Sequence, residues 1–279
     1  MDLPPIVDAA WVFAHRRDLV LADVRWYLDG RSGWDAFAAA HIPGALFVDL
    51  DTDLAGPGPA TDGRHPLPTP DAFAVALGRL GIGNDDAVVA YDDSGGGTSG
   101  RLVWMLRMLG HPAALLNGGL RAWPEPPESG PGATRPPAVI AARPWPTDRF
   151  ADHDRVAAAA TGPDSVVLDA RSAPRFAGQE ATVDRRAGHI PGAANAPWAA
   201  NLNPETDRFR GDDDLREHYQ QLGVDAHTDV VCYCGSGVSA CADLLALEHI
   251  GVNRTQLYVP SWSGWSADPA RPAATGSGE

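Results

Sequence analysis

The 279-residue sequence contains no lysine; its 22 basic residues are all arginine. Chemistry that needs a side-chain amine, such as a Schiff base or a phosphate-binding P-loop, is therefore excluded. Cysteine is scarce, with three residues at 232, 234 and 241. An odd number packed so closely makes a poor disulfide framework and suits a reducing cytoplasm. No apolar run approaches ~18 residues, so no membrane-spanning helix is expected. The start, Met1-Asp2-Leu3-Pro4-Pro5, has neither a basic region nor an apolar stretch, so no secretory signal is expected. Positive charge is in deficit: 36 acidic residues against 22 basic give a net charge of −14. That excludes broad nucleic-acid or anionic-membrane binding but leaves room for a local arginine cluster around one anion. The remaining composition, 44% hydrophobic and 21% charged, is that of a globular protein of one or two domains. The absence of lysine, with abundant Ala, Gly and Pro, reads as the coding bias of a GC-rich bacterial genome.

An internal repeat organises the chain. His41-Ile42-Pro43-Gly44-Ala45 returns as His189-Ile190-Pro191-Gly192-Ala193. Upstream of each lies an apolar run that ends in an acid and an arginine, Val20-Leu21-Ala22-Asp23-Val24-Arg25 and Val166-Val167-Leu168-Asp169-Ala170-Arg171. Downstream, Leu80-Gly81-Ile82 matches Leu222-Gly223-Val224, Ala87–Tyr91 matches Asp229–Tyr233, and Trp123 matches Trp265. The offset drifts from 148 to 142, as small loop insertions would cause. A period this long indicates a duplicated domain rather than a solenoid. Between the copies, residues 124–147 hold eight prolines and read as an extended linker. The expected domains are 1–123 and 148–279, the second ending in a polar tail.

Each half alternates apolar runs with amphipathic stretches. Strands are predicted at 20–24, 87–91, 113–116, 166–169 and 229–233, and helices at 69–79, 99–109, 213–221 and 239–249. Leu102, Met105, Leu106 and Leu109 fall at helical spacing, as do Cys241, Leu244, Leu245 and the polar Glu248. Alternation of this kind predicts an α/β fold with a mainly parallel sheet flanked by helices in each half. Ligands of such sheets sit beyond the carboxyl ends of the strands.

One strand exit carries chemistry. After Val230-Val231-Cys232-Tyr233 come Cys234-Gly235-Ser236-Gly237-Val238-Ser239 and then a helix. Glycines let such a loop curl so that successive N–H groups point inward, and the helix start adds unpaired N–H groups. A thiolate held there is a nucleophile at neutral pH. Cys232, inside the strand, and Cys241, on the apolar helix face, read as structural. A cysteine phosphatase needs an arginine six residues beyond its cysteine, where this chain has Ala240. A zinc site from the three cysteines and His249 lacks C-x2-C spacing. The Gly-x-Ser-x-Gly elbow of hydrolases fails around Ser236, because position 234 is Cys. In the first half Asp92 stands where Cys234 does, followed by Asp93-Ser94-Gly95-Gly96-Gly97, so that half is expected to be catalytically inactive.

The repeated His-Ile-Pro-Gly-Ala, the Asp-Ala-Arg after a strand and the single Cys loop resemble the tandem-domain rhodanese family of sulfurtransferases. The likeness spans nearly the whole chain, including Gly118-Gly119-Leu120-Arg121-Ala122-Trp123 and Ser261-Trp262-Ser263-Gly264-Trp265. The loop Cys234–Ser239 resembles the C-G-S-G-V-[ST] loop of the 3-mercaptopyruvate branch, whereas thiosulfate-preferring members carry C-R-K-G-V-T. Gly235 and Ser236 are neutral, which suits a donor whose charge lies at its far end, such as an α-keto acid. The resemblance implies a Cys234 persulfide cradled by Gly235, Gly237, Val238 and Ser239. It implies substrate-binding arginines at Arg175 and at Arg185, in preference to Arg186. It also implies a proton relay of Ser236 with His65, from His65-Pro66-Leu67-Pro68, and Asp51, from Asp49-Leu50-Asp51. His41, His189, Asp23 and Asp169 occur in both halves and read as fold-keeping. Implied partners are a small sulfur donor and a thiol, thioredoxin-like or cyanide acceptor, with no nucleic acid, membrane, metal or organic cofactor. The alternatives are thiosulfate as donor, with the same persulfide chemistry, or a non-catalytic sulfur carrier, redox sensor or binding module.

Overall fold

Each of the five apolar runs forms a parallel strand in a computed structural model of the chain, which describes residues 2–181 and 183–277. Two units result. The first comprises Met1–Gly56, Leu67–Trp145 and Asn203–Phe209, and the second comprises Pro57–Pro66, Pro146–Leu202 and Arg210–Glu279. Two short segments, 57–66 and 203–209, thus fold with the unit that the repeat does not assign them to.

The first unit runs β1 (Ile6–Asp8), α1 (Ala9–His15), β2 (Leu19–Asp23), α2 (Gly33–Ala39), β3 (Leu46–Phe47), α3 (Leu50–Asp53), α4 (Pro70–Arg79), β4 (Ala87–Tyr91), α5 (Ser99–Met108) and β5 (Ala113–Asn117). Its strands lie in the order β1-β5-β4-β2-β3, all parallel. The second unit runs α6 (His153–Ala159), β6 (Ser165–Asp169), α7 (Ala173–Phe176), β7 (Ala194–Asn195), α8 (Asp212–Gln221), β8 (Asp229–Tyr233), α9 (Ala240–His249), β9 (Thr255–Leu257) and α10 (Ser261–Trp265). Its order is β7-β6-β8-β9, again parallel, and Phe150 bridges to Leu257 where the first unit has β1. The topologies are therefore the same, with the outermost strand reduced to one bridge.

Burial explains the strand composition. β2 and β4 are buried along their whole length, as the interior strands of a sheet covered on both faces must be. Helix starts follow local chemistry. Thr69 accepts the N–H of Ala72 ahead of Pro70, and Asp152 accepts that of Arg155. α9 departs from the amphipathic pattern: Ala240 to Leu247 are all buried and only Glu248 and His249 are half-exposed. A helix that packs on all sides carries no polar stripe.

The repeated motif has a repeated role. His41 stacks on Phe37 at 4.0 Å and His189 on Phe176 at 3.6 Å between ring centroids, and each Nδ1 meets the carbonyl of the same phenylalanine. The Ile42 N–H donates to the Tyr91 hydroxyl, and the Ile190 N–H to that of Tyr233. Asp23 and Asp169 each hold the arginine two residues on in a buried pair, and that arginine donates to the carbonyl of Ala40 or Gly188 just before the histidine. The motif thus locks the end of one strand to the turn that enters the next. Each histidine also pairs through its backbone with a segment beyond the sheet, His41 with Glu128 and His189 with Ala274. The polar tail is to that extent part of the second unit.

The proline-rich segment is extended, but it is not a free tether. Its residues up to Trp145 belong to the first unit. The Gly130, Ala133 and Ala138 N–H groups donate to the carbonyls of Ala38, Ala45 and Gly78, and Arg135 pairs with Asp86. Gly132, at φ +71°, leaves no room for a side chain, since a Cβ there would stand 2.3 Å from the Phe37 ring and 2.8 Å from the Ala45 carbonyl. Gly132→Ala combines this clash with an unfavourable φ and is expected to destabilise the first unit by about 1–3 kcal/mol in urea unfolding. An unchanged midpoint would show that the segment is not held as described.

Candidate active site

Cys234 leaves the carboxyl end of β8, an interior strand of the second sheet. It is 2% exposed. Gly237, at φ +74°, turns the loop back over the sulfur. Burial pushes the Cys234 thiol up, yet the Ser239 hydroxyl and the N–H groups of Ser236, Ala240 and Val238 outweigh it and hold the thiol below its ordinary value. Ser239 stands at the start of α9 without capping it, because its hydroxyl serves the sulfur instead. The other two cysteines differ. Burial drives the Cys232 thiol well up, and Cys241 Sγ lies 3.5 Å from the Gly237 carbonyl on α9. Among the described residues no group of three or more His, Cys, Asp or Glu could hold a metal ion, and no helix is long and apolar enough to cross a membrane.

The first unit contains the same cradle with a different occupant. Asp92 leaves β4 as Cys234 leaves β8. Its carboxylate accepts the N–H groups of Ser94, Gly96, Thr98 and Ser99, each at 2.9 Å, and the hydroxyls of Thr98 and Ser99. Ser94, Gly96 and Thr98 stand at the offsets from Asp92 that Ser236, Val238 and Ala240 have from Cys234. Burial opposes ionisation of Asp92, but these donors win and hold its carboxyl below the usual range. The loop carries its own fixed anion and has no nucleophile.

A second ring of contacts fixes the backbone of the cysteine loop. The Trp262 and Ser263 N–H groups donate to the carbonyls of Cys234 and Gly235, both at 2.9 Å. The Cys234 N–H donates to Ser261 Oγ at 3.2 Å, and that hydroxyl donates to the Tyr258 carbonyl at 2.9 Å. Ser261 adopts φ +52°, a conformation unfavourable for a side-chain-bearing residue, where the repeat has Gly119 at φ +53°. Its two hydrogen bonds to the loop and to Tyr258 stabilise that conformation.

The sequence-derived residues fall into place unevenly. His65 and Ser236 are both buried, with Nδ1 and Oγ 2.8 Å apart. His65 belongs to the second unit because segment 57–66 does. Gly63, at φ +88°, lies against the Pro260 carbonyl, and the Arg64 N–H donates to Ser263 Oγ. Asp51 lies in the first unit and accepts a hydrogen bond from Trp26 Nε1 at 3.0 Å. Arg175 donates to Asp184 through Nε and Nη2. Its Nη2 stands 2.9 Å from where a Cβ on Gly235 would be. Arg185 is exposed and makes no hydrogen bond or ion pair with the described residues, while Arg186 donates to the carbonyls of Asp268 and Arg271.

Two residues that the sequence did not single out complete the arrangement. Asp184 is buried and accepts from Arg64, Arg171 and Arg175. Burial opposes its charge, yet the three arginines, Arg175 foremost, hold its carboxyl below the usual range. Arg64 places Nη2 2.8 Å from the same Gly235 Cβ position. The only available signal was adjacency, Arg64 to His65 and Asp184 to Arg185, because contacts across more than a hundred residues have no spacing to read.

With this geometry established, the comparisons with known proteins are informative. Residues 8–125 and 152–268 each match the rhodanese-like domain model. A Pseudomonas aeruginosa protein provisionally named 3-mercaptopyruvate sulfurtransferase is 39% identical over 270 residues, covering 93% of each chain. A Mycobacterium tuberculosis protein provisionally named thiosulfate sulfurtransferase SseB is 38% identical over 260 residues, covering 92% of this chain and 91% of its own. The crystal structure of SseA from Escherichia coli, titled as a 3-mercaptopyruvate sulfotransferase with the rhodanese fold, superposes with a TM-score of 0.80 at 31% identity, covering 93% of this chain and 99% of that one.

Two outcomes are expected from the cradle. The ultraviolet thiolate signal that Cys234→Ser removes titrates below the ordinary cysteine range, and Ser239→Ala moves its midpoint upward; a midpoint at or above the ordinary value contradicts the cradle. Asp92→Asn replaces an acceptor with a partial donor facing buried N–H groups, at an expected cost of at least about 2 kcal/mol near neutral pH. Because the folded Asp92 carboxyl sits below its unfolded value, that difference is fully present above the ordinary carboxylate range. It shrinks as pH falls through the folded value. A difference that persists unchanged in acid would show that the charge of Asp92 is not what stabilises the loop.

Proposed function

The chain belongs to the rhodanese family, and on that premise we propose that it is a sulfurtransferase that takes sulfur from 3-mercaptopyruvate onto Cys234 and passes it to a thiol, a thioredoxin-like protein or cyanide. The observation that carries this reading is the cradle of N–H groups around a thiol held below its ordinary value. The Cys234 thiolate attacks the donor's sulfur. An S–S bond forms, the S–C bond breaks, and the electron pair stays on carbon as the enolate of pyruvate. The donor's thiol proton ends on that carbon, so the products are the Cys234 persulfide anion and pyruvate, with no net proton taken from the protein. A group that relays this proton is therefore needed, and the Ser236–His65 pair at 2.8 Å supports that role. The resemblance gives Asp51 as the third member of the relay. In the second half-reaction the acceptor attacks the outer sulfur, and the Cys234 thiolate leaves.

The first unit supports the cradle as a persulfide site. The carboxylate oxygens of Asp92 lie two bonds beyond Cβ, as the outer sulfur of a persulfide would, and they find donors at the same offsets. The choice of donor rests on Gly235. A side chain there would meet the guanidinium ends of Arg64 and Arg175 within 3 Å, so the basic loop residue of thiosulfate-preferring members would set like charges against each other. Positive charge stands beside the loop instead, where the carboxylate of an α-keto acid can reach it, and Arg175 is the carboxylate ligand in this reading. Thiosulfate remains the second reading, because its dianion also suits two guanidinium groups.

Steady-state kcat/KM for pyruvate release from 3-mercaptopyruvate and for thiocyanate formation from thiosulfate and cyanide, on one preparation, tests the proposal. Mercaptopyruvate is expected to win by at least tenfold, about 1.4 kcal/mol in transition-state stabilisation. Cys234→Ser is expected to abolish both reactions, and Ser236→Ala, His65→Gln and Asp51→Asn to slow pyruvate release. A preference for thiosulfate overturns the donor, and no turnover with either overturns the enzyme in favour of a sulfur carrier, redox sensor or binding module.

A further inference from the structure

One buried acid of the second unit has no part in the chemistry described so far. Asp243 stands in the first turn of α9, the helix whose opening N–H, at Ala240, faces the Cys234 sulfur. It is 1% exposed and makes no ion pair with the described residues. The groups that face it are Asn201 from the turn Trp198–Asn201, Tyr219 from α8, Cys234 from its loop and Asp169 from β6, and it acts in turn on Cys232 of β8. None of these is a cation, and Asp169 is itself held by Arg171. A carboxylate taken out of water with no cation beside it is costly.

The hydrogen bonds show where a proton would go. Asp243 Oδ1 accepts from Asn201 Nδ2 at 2.7 Å and from the Tyr219 hydroxyl at 3.4 Å. Asp243 Oδ2 and Asn201 Oδ1 are buried, and neither has a hydrogen-bond partner among the described residues. Both are acceptors, so an ionised Asp243 would leave both unmet. One proton on Oδ2 satisfies the two together, because the amide and the carboxylic acid then donate to each other in a ring. Turning the amide over would set oxygen against oxygen at Oδ1 and call for the same proton. Burial pushes the Asp243 carboxyl well up and the negative charge of Cys234 adds to it, against the donors of Asn201 and Tyr219.

We propose that Asp243 stays protonated in the folded protein and donates from Oδ2 to Asn201 Oδ1, so that the start of α9 carries no negative charge to compete with the Cys234 thiolate. The inference rests on the proposed function only in taking Cys234 as the nucleophile. The N-terminus of a helix favours an anion, and an ionised acid in its first turn takes up that field itself. A neutral Asp243 leaves the field to the sulfur. Asp243 touches no reacting atom and is a positioning residue, acting through the charge it withholds. At the same offset from Asp92, nine residues on, the first unit has Arg101 on α5, so no acid stands at that position behind its anion either.

The test compares the wild type with Asp243→Asn, whose amide reproduces the shape and the donor of the protonated acid. Below the ordinary carboxylate range both chains are neutral at this position, folded or unfolded. Above it the unfolded wild type releases the proton and the folded wild type keeps it. The unfolding constant of the wild type divided by that of the variant is therefore expected to rise about tenfold per pH unit until the folded value is reached. In the infrared spectrum at neutral pH, Asp243→Asn is expected to remove a protonated-carboxyl band. Asn201→Leu, which takes away the hydrogen-bond partner, is expected to move that band to higher frequency. The thiolate midpoint of Cys234 is expected to stay where it is in Asp243→Asn, since one neutral group replaces another. A ratio that stays flat, the absence of the band, or a midpoint that falls as if a negative charge had been removed overturns the inference. A band indifferent to Asn201→Leu overturns the ring. An Asp243→Asn chain that fails to fold also counts against the proposal, because the amide should take the place of the protonated acid. None of these readouts needs turnover, so a different donor, or no turnover at all, overturns the proposed function and leaves this test intact.

Discussion

The functional architecture rests on backbone N–H groups that converge on one anion at the end of a buried parallel strand. The requirement is stringent. The strand must stop where the loop begins, the loop must curl tightly enough to turn alternate amides inward, and the anion must be excluded from water to gain from them. Both units meet it, with Cys234 in one and Asp92 in the other. Because both loops present N–H groups at the same offsets, the difference between the two halves comes down to which atom stands at the centre. A carboxylate satisfies the amides permanently, while a thiolate satisfies them and can still form a bond.

A second layer of charge surrounds the reactive cradle and has no full counterpart in the first unit. Asp23 and Arg25 repeat as Asp169 and Arg171, and these pairs serve the fold. Asp184 is the addition. It lies on the loop between α7 and the second His-Ile-Pro-Gly-Ala motif and draws Arg64 and Arg175 to the cysteine loop. The fold-keeping pair is thus joined to two further arginines by one more buried carboxylate.

Much of this was legible in the sequence. The long interior strands and the four longest helices lie within one or two residues of their predicted bounds, because burial on both faces and helical periodicity leave strong signals. The cysteine loop, its counterpart around Asp92 and the repeat were equally plain. The edge strands β3 and β7 were not, since two residues each carry no period. Nor were the seven-residue helices α1, α2 and α6, which make barely two turns. At the site, residues close to Cys234 in sequence could be read from the loop alone. Asp184, Arg64 and the Ser261–Ser263 clamp could not, because their roles depend on which chain segments the fold brings together.

The segment from Pro57 to Pro66 shows what that means for the history of the molecule. By sequence it belongs to the first copy of a duplicated gene; by folding it belongs to the second unit, and it contains Arg64 and His65. The copies are therefore not interchangeable cassettes. A second copy excised at the proline-rich segment would retain its nucleophile and cradle and lose both side chains that the first copy contributes to that unit. Ten residues that the repeat assigns to the first copy are thus built into the unit that carries Cys234.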